Sequence, residues 1–343
     1  RYGELSRWEI LDEPRSADFA WRSAELFAMG GEFDQAIGRY EKFLRERPQD
    51  HRGPAAWFRV GQIQLTRGAL ESAAGAFREC NERFPRSFDG ARSLVPLAQT
   101  YLAMGPDHFD KAEQALRQVL DNSNVFTPRA AEFVEGLFLL GDVQERGGRY
   151  EPAISTLHEA LDRYPNDPRT KRGRFLLGGA YRKSALGLRA DGGNSGTVNE
   201  LDQLRQESAR RFQAARVEYR KLIDELELKP PGALDELEQM YLRHAYLYEA
   251  DCYFETQEYQ EALKLYELAA GNLRDTARGL AAHVQMINCH VFLGEPREAR
   301  TALARAMVVV NSMPDSAFVN RVATESRSEW KKYFEWLFAS ELF

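Results

Sequence analysis

Seven alanines stand along this chain at intervals that nearly repeat: Ala36, Ala73, Ala112, Ala153, Ala215, Ala262 and Ala299. Each is followed at helical spacing by a bulky residue and then by another small or apolar one. The steps from Ala36 to Ala73 and from Ala262 to Ala299 are both 37 residues, and those linking Ala73, Ala112 and Ala153 are close to that. A period of this length belongs to paired-helix units stacked in an array, where no unit buries its apolar face without a neighbour. The chain is therefore expected to be all-helical and to work through its surface.

Around Ala73 the pattern reads Trp57, Val60, Gly61, Ala73, Phe77, Cys80 and Pro85. Gly61 and Ala73 are the small residues that let two antiparallel helices cross closely. Phe77 fills the space beyond them, and Pro85 cannot continue the second helix. The frame recurs as Leu137, Leu140, Gly141, Ala153, Leu157, Ala160 and Pro165, and as Ala20, Ala24, Phe27, Ala36, Tyr40, Phe43 and Pro48. The unit through Leu94, Ala98, Ala112 and Leu116 carries extra residues in its turn, from Gly105 to Phe109. Those through Tyr246, Ala250, Ala262 and Tyr266, and through His283, Ile287, Ala299 and Leu303, lack the terminal proline.

These residues resemble the tetratricopeptide-repeat (TPR) family over roughly residues 17 to 310. The stretch from Ala36 to Pro48, A-I-x-x-Y-x-x-F-L-x-x-x-P, is similar in style to repeats of bacterial envelope proteins such as outer-membrane assembly lipoproteins and Tol-Pal coordinators. The resemblance implies an all-α, right-handed α-solenoid of about seven helix pairs with a terminal helix. It implies a concave groove lined by each unit's first helix, and protein or peptide segments as partners rather than a substrate. The repeat style also points to a periplasmic or cell-envelope location.

The reading along the chain is an N-terminal extension over 1–16, a sub-array over 17–228 with a long helical insertion at about 186–210, a linker over 229–234, a second sub-array over 235–313, and a terminal aromatic helix over 314–343. The insertion separates Leu177, Gly178 and Tyr181 from Ala215, Tyr219 and Leu222. A polar, Gly-rich loop is expected from Gly187 to Asn199. It is followed by unbroken helical periodicity from Glu200 to Leu228, a helix on the order of 40 Å long that outreaches a single repeat. This is either a tolerated surface insertion or a docking arm. Its tip, Gly192-Gly193-Asn194-Ser195-Gly196, lacks the Gly-Lys-Ser/Thr ending of a phosphate-binding loop.

Composition narrows the partners. Lys plus Arg number 46 against 52 acids, a net charge of -6, and the basic residues are mixed with acids rather than gathered in a stripe, so nucleic acid is not an expected partner. The longest apolar runs fall far short of the roughly 20 residues that span a bilayer, so no direct membrane span is expected in this segment. Cys80, Cys252 and Cys289 each fall inside a repeat helix and read as small buried hydrophobes. The sequence starts at Arg1, so any signal peptide or lipid-attachment cysteine is expected upstream of it.

Chemistry is sparse. The six histidines include no His-x-x-x-His or Glu-x-x-His pair of the kind that fixes a metal on one helix. His283 and His290 share a face at core-type places of the last unit. Asp142 and Glu145 read as a solvated helix edge, and no strained G-x-S-x-G turn occurs. No active site, metal or cofactor is expected.

The working surface is expected on the first helices. Their fifth places read Trp21, Phe58, Val95, Phe138, Phe175, Leu247 and Val284, all apolar, part packing between units and part forming a strip along the groove. Phe58, Phe138 and Phe175 are the expected anchors for a partner's amphipathic segment. The ninth places, Glu25, Gln62, Gln99, Asp142, Asp251 and Asn288, would bond its backbone or basic side chains. The last 14 residues hold Trp330, Tyr333, Phe334, Trp336, Phe338 and Phe343, on a helix expected from about Ala317 to Leu342. It reads as a cap on the last unit or as a docking terminus, since a single face holds only Trp330, Phe334, Leu337 and Phe338. At the other end, Tyr2, Leu5, Trp8, Ile10 and Leu11 read as a cap on the first unit or a remnant of an upstream repeat.

The function expected from this is a non-catalytic scaffold or adaptor of a bacterial multiprotein assembly. Two alternatives stay open: a helical-repeat regulatory region of a larger enzyme, and a self-assembling subunit that forms a homo-oligomer through its ends.

Overall fold

The structure is a computed structural model that describes residues 13–121, 125–192, 197–230, 232–274, 276–318 and 326–340. The apolar residues of the N-terminal extension up to Leu11, the loop tip from 193 to 196, and Phe343 lie outside the described residues. Among those described there is no strand. The chain divides into two compact units, Arg1–Thr156 and Leu157–Phe343.

The first unit holds α1 (Glu13–Met29), α2 (Phe33–Glu46), α3 (Gly53–Thr66), α4 (Leu70–Arg83), the short α5 (Phe88–Arg92), α6 (Leu94–Met104), α7 (Phe109–Asp121) and α8 (Ala131–Arg146). Each helix packs on the next, α5 alone being bridged by a direct contact of α4 with α6. The division between units runs through α9 (Tyr150–Arg163). The second unit continues with α10 (Thr170–Gly192), α11 (Val198–Glu227), α12 (Glu236–Glu255), α13 (Tyr259–Asn272), α14 (Ala277–Phe292), α15 (Pro296–Ser312) and α16 (Arg327–Ala339). From α10 on, sequential neighbours again pack on one another.

The alanine frame is the core. Ala36, Ala73, Ala112, Ala153, Ala215, Ala262 and Ala299 are all fully buried. The crossing predicted around Ala73 is present: a methyl group placed on Gly61 would lie 2.6 Å from the Phe77 ring, so only a residue without a side chain admits the phenyl there. In the α3–α4, α8–α9 and α14–α15 pairs the chain reverses through one glycine in the left-handed region, Gly68, Gly148 and Gly294. At Gly68 (φ +74°) the Gly68 N–H donates to the Leu65 carbonyl and the Ala69 N–H to the Gln64 carbonyl, closing the end of α3. After α12 the same reversal uses Gln257 at φ 66°, with its N–H donating to Phe254 and that of Glu258 to Tyr253. The longer turn expected at Gly105 to Phe109 contains a 3-10 turn, Pro106–His108, with His108 stacked on Tyr101.

Three expectations change. First, α10 runs through Gly187 to Gly192, well into the expected loop, because Leu188, Arg189 and Ala190 are good helix formers. Arg189 also folds over the Phe212 ring and bonds Glu255. Second, α16 begins at Arg327, not near Ala317. Ser326 and Glu329 form a reciprocal capping box that starts the helix there, whereas Asp315–Phe318 is a 3-10 turn. Third, Phe338 is exposed and does not share the buried face of Phe334 and Leu337.

α11 is 30 residues, about 45 Å. Its buried face, Ser208, Phe212, Ala215, Tyr219, Leu222, Ile223 and Leu226, begins only at Ser208. The earlier turns carry Val198, Leu201 and Leu204 at exposed or half-buried places.

Candidate functional site

The structure divides the fifth-place row. Phe58, Val95, Phe138 and Leu247 are buried, whereas Trp21, Phe175 and Val284 are half-buried. Phe58 stands edge-on to Phe77 at 5.8 Å with the Arg92 guanidinium 4.1 Å over its ring. Phe138 belongs to α8, which is buried almost without break from Phe133 to Glu145. Both side chains are thus enclosed, which fits the part of the row assigned to packing. Phe175 lies against Tyr241 at 5.0 Å and Tyr248 at 5.9 Å and stays half-buried.

The ninth places also differ. Gln62 is exposed beside Arg59, Gln99 donates to the Glu135 carboxylate, and Asn288 donates to Gln285 at 3.1 Å. Asp251 accepts from the Tyr266 hydroxyl at 2.8 Å and faces Arg182 at 3.5 Å. Burial pushes its carboxyl above the usual range, against the pull of Arg182. The solvated edge expected at Asp142 and Glu145 is not found, because α8 is covered on that side as well. Asp142 is 0% and Glu145 6% exposed, and Arg146 reaches back to bond Asp142 at 2.8 Å. Next to them, Glu113 on α7 takes Arg117, Gln144 and Arg149, a polar cluster that satisfies charges the helix packing encloses.

Clefts remain open at first-helix ends in each unit. In the first, Asp18, Trp21, Arg22, Glu25, Leu26, Met29 and Arg52 line a cleft of about 490 Å³. Its lining is mostly charged, and two apolar side chains stand exposed among those charges, Leu26 at 52% and Met29 at 84%. In the second, α14 and α16 form a cleft of about 440 Å³ lined by Ala281, Val284, Gln285, Glu329, Trp330 and Tyr333. This one joins a residue of the expected groove row to the expected docking terminus. The buried face of α16, Phe334 and Leu337, covers the last pair as a cap, while Tyr333 and Trp336 stack at 6.3 Å with Trp336 60% exposed. A third cleft, of about 570 Å³, lies where the overhanging ends of α10 and α11 meet the α12 turn, with Leu188, Leu201 and Leu204 against Glu255 and Gln257.

Among the described residues no reactive constellation lines them. The three cysteines are free and buried, and burial pushes the thiols of Cys80 and Cys289 up to about 12, so they are not nucleophiles near neutral pH. Burial, with Arg305, pushes His283 down, and its Nδ1 has no hydrogen-bond partner. His290 bonds Glu295 at 2.8 Å. Among the described residues no three His, Cys, Asp or Glu side chains gather as a metal would require, and no helix is long and apolar enough to cross a membrane. The α16 capping box is the feature the sequence reading missed. Its signal, Ser326 followed three residues on by Glu329 before an apolar run, was available.

A tetratricopeptide-repeat family model matches residues 30–87 and 96–168. Over those residues the chain matches tetratricopeptide repeats. These TPR units are α-helical hairpins whose general role is protein–protein interaction. A TPR protein of Parabacteroides merdae is similar in structure, with 17% identity over 93% of this chain and 98% of that one and a TM-score of 0.49. PilF of Pseudomonas aeruginosa is 18% identical over 76% of this chain and 92% of its own, with a TM-score of 0.41. PilW, a type IV pilus biogenesis factor, is 14% identical over 75% and 93%, with a TM-score of 0.42. No curated protein matches the chain.

Proposed function

We propose that this TPR protein is a non-catalytic adaptor of a bacterial multiprotein assembly in the cell envelope, holding protein segments against the open ends of its first-helix faces. The observation that carries the reading is the pair of clefts at Trp21 and Val284, where half-buried members of the expected groove row stand near the exposed Leu26, Met29 and Trp336. Patches of this kind, edged by charged residues such as Asp18, Arg22 and Glu329, are where folded proteins meet partners. Phe175 remains a contact between them in the sequence order, and Gln62, Gln99, Asp251 and Asn288 remain polar contacts for a bound backbone. Phe58, Phe138 and Asp142 act in this reading by shaping the wall from behind. The envelope assignment rests on the repeat style from Ala36 to Pro48. A second reading concerns the overhang of α10 and α11, whose leucine-lined cleft would serve as a separate docking arm.

The test is crosslinked affinity capture from the native host with the intact protein and with a variant carrying Leu26→Glu, Met29→Glu and Trp336→Glu. These side chains are all more than half exposed, so circular dichroism should be unchanged. Loss of a specific partner from the variant is expected. Retention of every partner would move binding to the arm and sink the reading.

A further inference from the structure

Repeatedly among the described residues an aromatic ring and a carboxylate together hold a guanidinium. Arg52 lies over Trp21 and bonds Asp18; Arg182 lies 4.3 Å over Tyr248 and faces Asp251. Arg216 lies 4.1 Å over Tyr253 and pairs with Glu258, and Arg189 lies 4.9 Å over Phe212 and pairs with Glu255. The arrangement is the expected one for a large, weakly hydrated cation: the ring face attracts the charge, the carboxylate fixes its place, and the alkyl stem packs on apolar surface.

The cleft between α14 and α16 has the same parts. Trp330 and Tyr333 stand with centroids 6.2 Å apart and planes at 81°, forming two walls of a corner. Glu329 lines the same cleft, and Ala281 and Val284 supply apolar surface to it. The Ser326 hydroxyl and N–H both donate to the Glu329 carboxylate and hold it below the usual range, with Lys332 adding its charge from the next turn. Glu329 is therefore ionised at neutral pH, and it is the one charged residue lining the cleft among the described residues. Unlike those places, no arginine or lysine of the described residues lies over either ring.

We propose that the α14–α16 corner is a cation cage that receives an arginine or lysine side chain of a protein partner lying along the first-helix face of α14. The proposal deepens the adaptor reading and rests on it for the source of the cation. It narrows the partner to a segment with a basic residue flanked by apolar ones, since Ala281 and Val284 make the floor apolar and Trp336 stacks on the Tyr333 wall.

The cage is tested without a partner, so its failure is distinct from failure of the adaptor reading. The intact protein with 15N-labelled tryptophan is titrated with n-butylguanidinium, a mimic of the arginine side chain, and with n-butylurea, its neutral isostere. Trp330→Phe identifies the indole signal to follow. A saturable shift of that signal with n-butylguanidinium is expected, at least about tenfold tighter than with n-butylurea. Glu329→Gln keeps the capping box, because glutamine makes the same reciprocal bonds, and is expected to weaken the guanidinium about fivefold or more while leaving n-butylurea unchanged. Equal affinity for the two probes, no saturable shift, or no effect of Glu329→Gln would each overturn the proposal.

Discussion

The α3–α4 and α10–α11 pairs cross by the same device and differ in everything beyond the crossing. A methyl on Gly61 would meet Phe77 at 2.6 Å, and one on Gly178 would meet Tyr219 at 2.8 Å, so each pair closes on an aromatic ring seated over a glycine. Yet α3 and α4 are 14 residues each, whereas α10 and α11 are 23 and 30. The crossing thus fixes how two helices pack and leaves their length free. Turns added beyond the neighbours' reach bury little, which is why Leu201 and Leu204 stay partly open while Phe212 and Tyr219 are fully buried. Tyr219 differs from Phe77 in carrying a hydroxyl, whose titration is pushed far up by burial, against the pull of Arg182.

The sharpest way to break this equivalence is to remove the rings. Phe77→Ala and Tyr219→Ala should each cost about 3–5 kcal/mol in urea unfolding, because both leave an aromatic-sized void at a fully buried place. A much smaller loss for Tyr219→Ala would mean the long pair is held by its length and not by the crossing. Gly61→Ala and Gly178→Ala test the other half of the device. Both should lose about 1–3 kcal/mol through forced displacement of the ring, read from the shift in thermal midpoint.

A third difference between the pairs is electrostatic. Lys171 at the start of α10 and Lys229 just past α11 both bond Glu238 on α12, a tie with two cations from the ends of the long pair. Hydrogen bonds from the two lysines hold the Glu238 carboxyl down at about 2, below its ordinary 4.5. The folded state therefore binds fewer protons than the unfolded chain between those values. The tie stabilises fully above the ordinary carboxylate range and is lost as pH falls through about 2. Glu238→Gln should lower stability near neutral pH, and the gap to the parent should narrow steadily on acidification. A gap independent of pH would show that the lysines do not act through the charge. The smallest effect belongs to the turns. Gln257 occupies the left-handed place that Gly68 fills after α3, so Gln257→Gly should raise stability by about 1 kcal/mol or less, seen as a higher unfolding midpoint.

What was legible in the sequence followed from steric necessity. Seven buried alanines and the Gly61–Phe77 contact are dictated by how closely two helices approach, and a small residue at a fixed offset announces that directly. The lengthened α11 was legible for the same reason, its apolar periodicity running unbroken. Exposure on the first-helix faces was not, because Phe58 and Trp21 occupy the same place in the frame and differ only in what packs beside them. Asp142 shows the limit most clearly: an acid on a helix edge reads as solvated, and only the tertiary cover of α8 shows it enclosed. The cage at α14 and α16 lay further out of reach, since its floor and its walls come from helices about 50 residues apart.

The measurement that tests the account most directly is site-specific photo-crosslinking in the native host. A benzoylphenylalanine is placed at Met29 or Gln285 on first helices, and at Arg78 or Lys264 on the exposed sides of second helices. The account predicts a protein adduct from the first-helix positions and none from the second-helix ones. Adducts confined to Arg78 or Lys264 would contradict it, placing the working surface on the opposite face of the repeats.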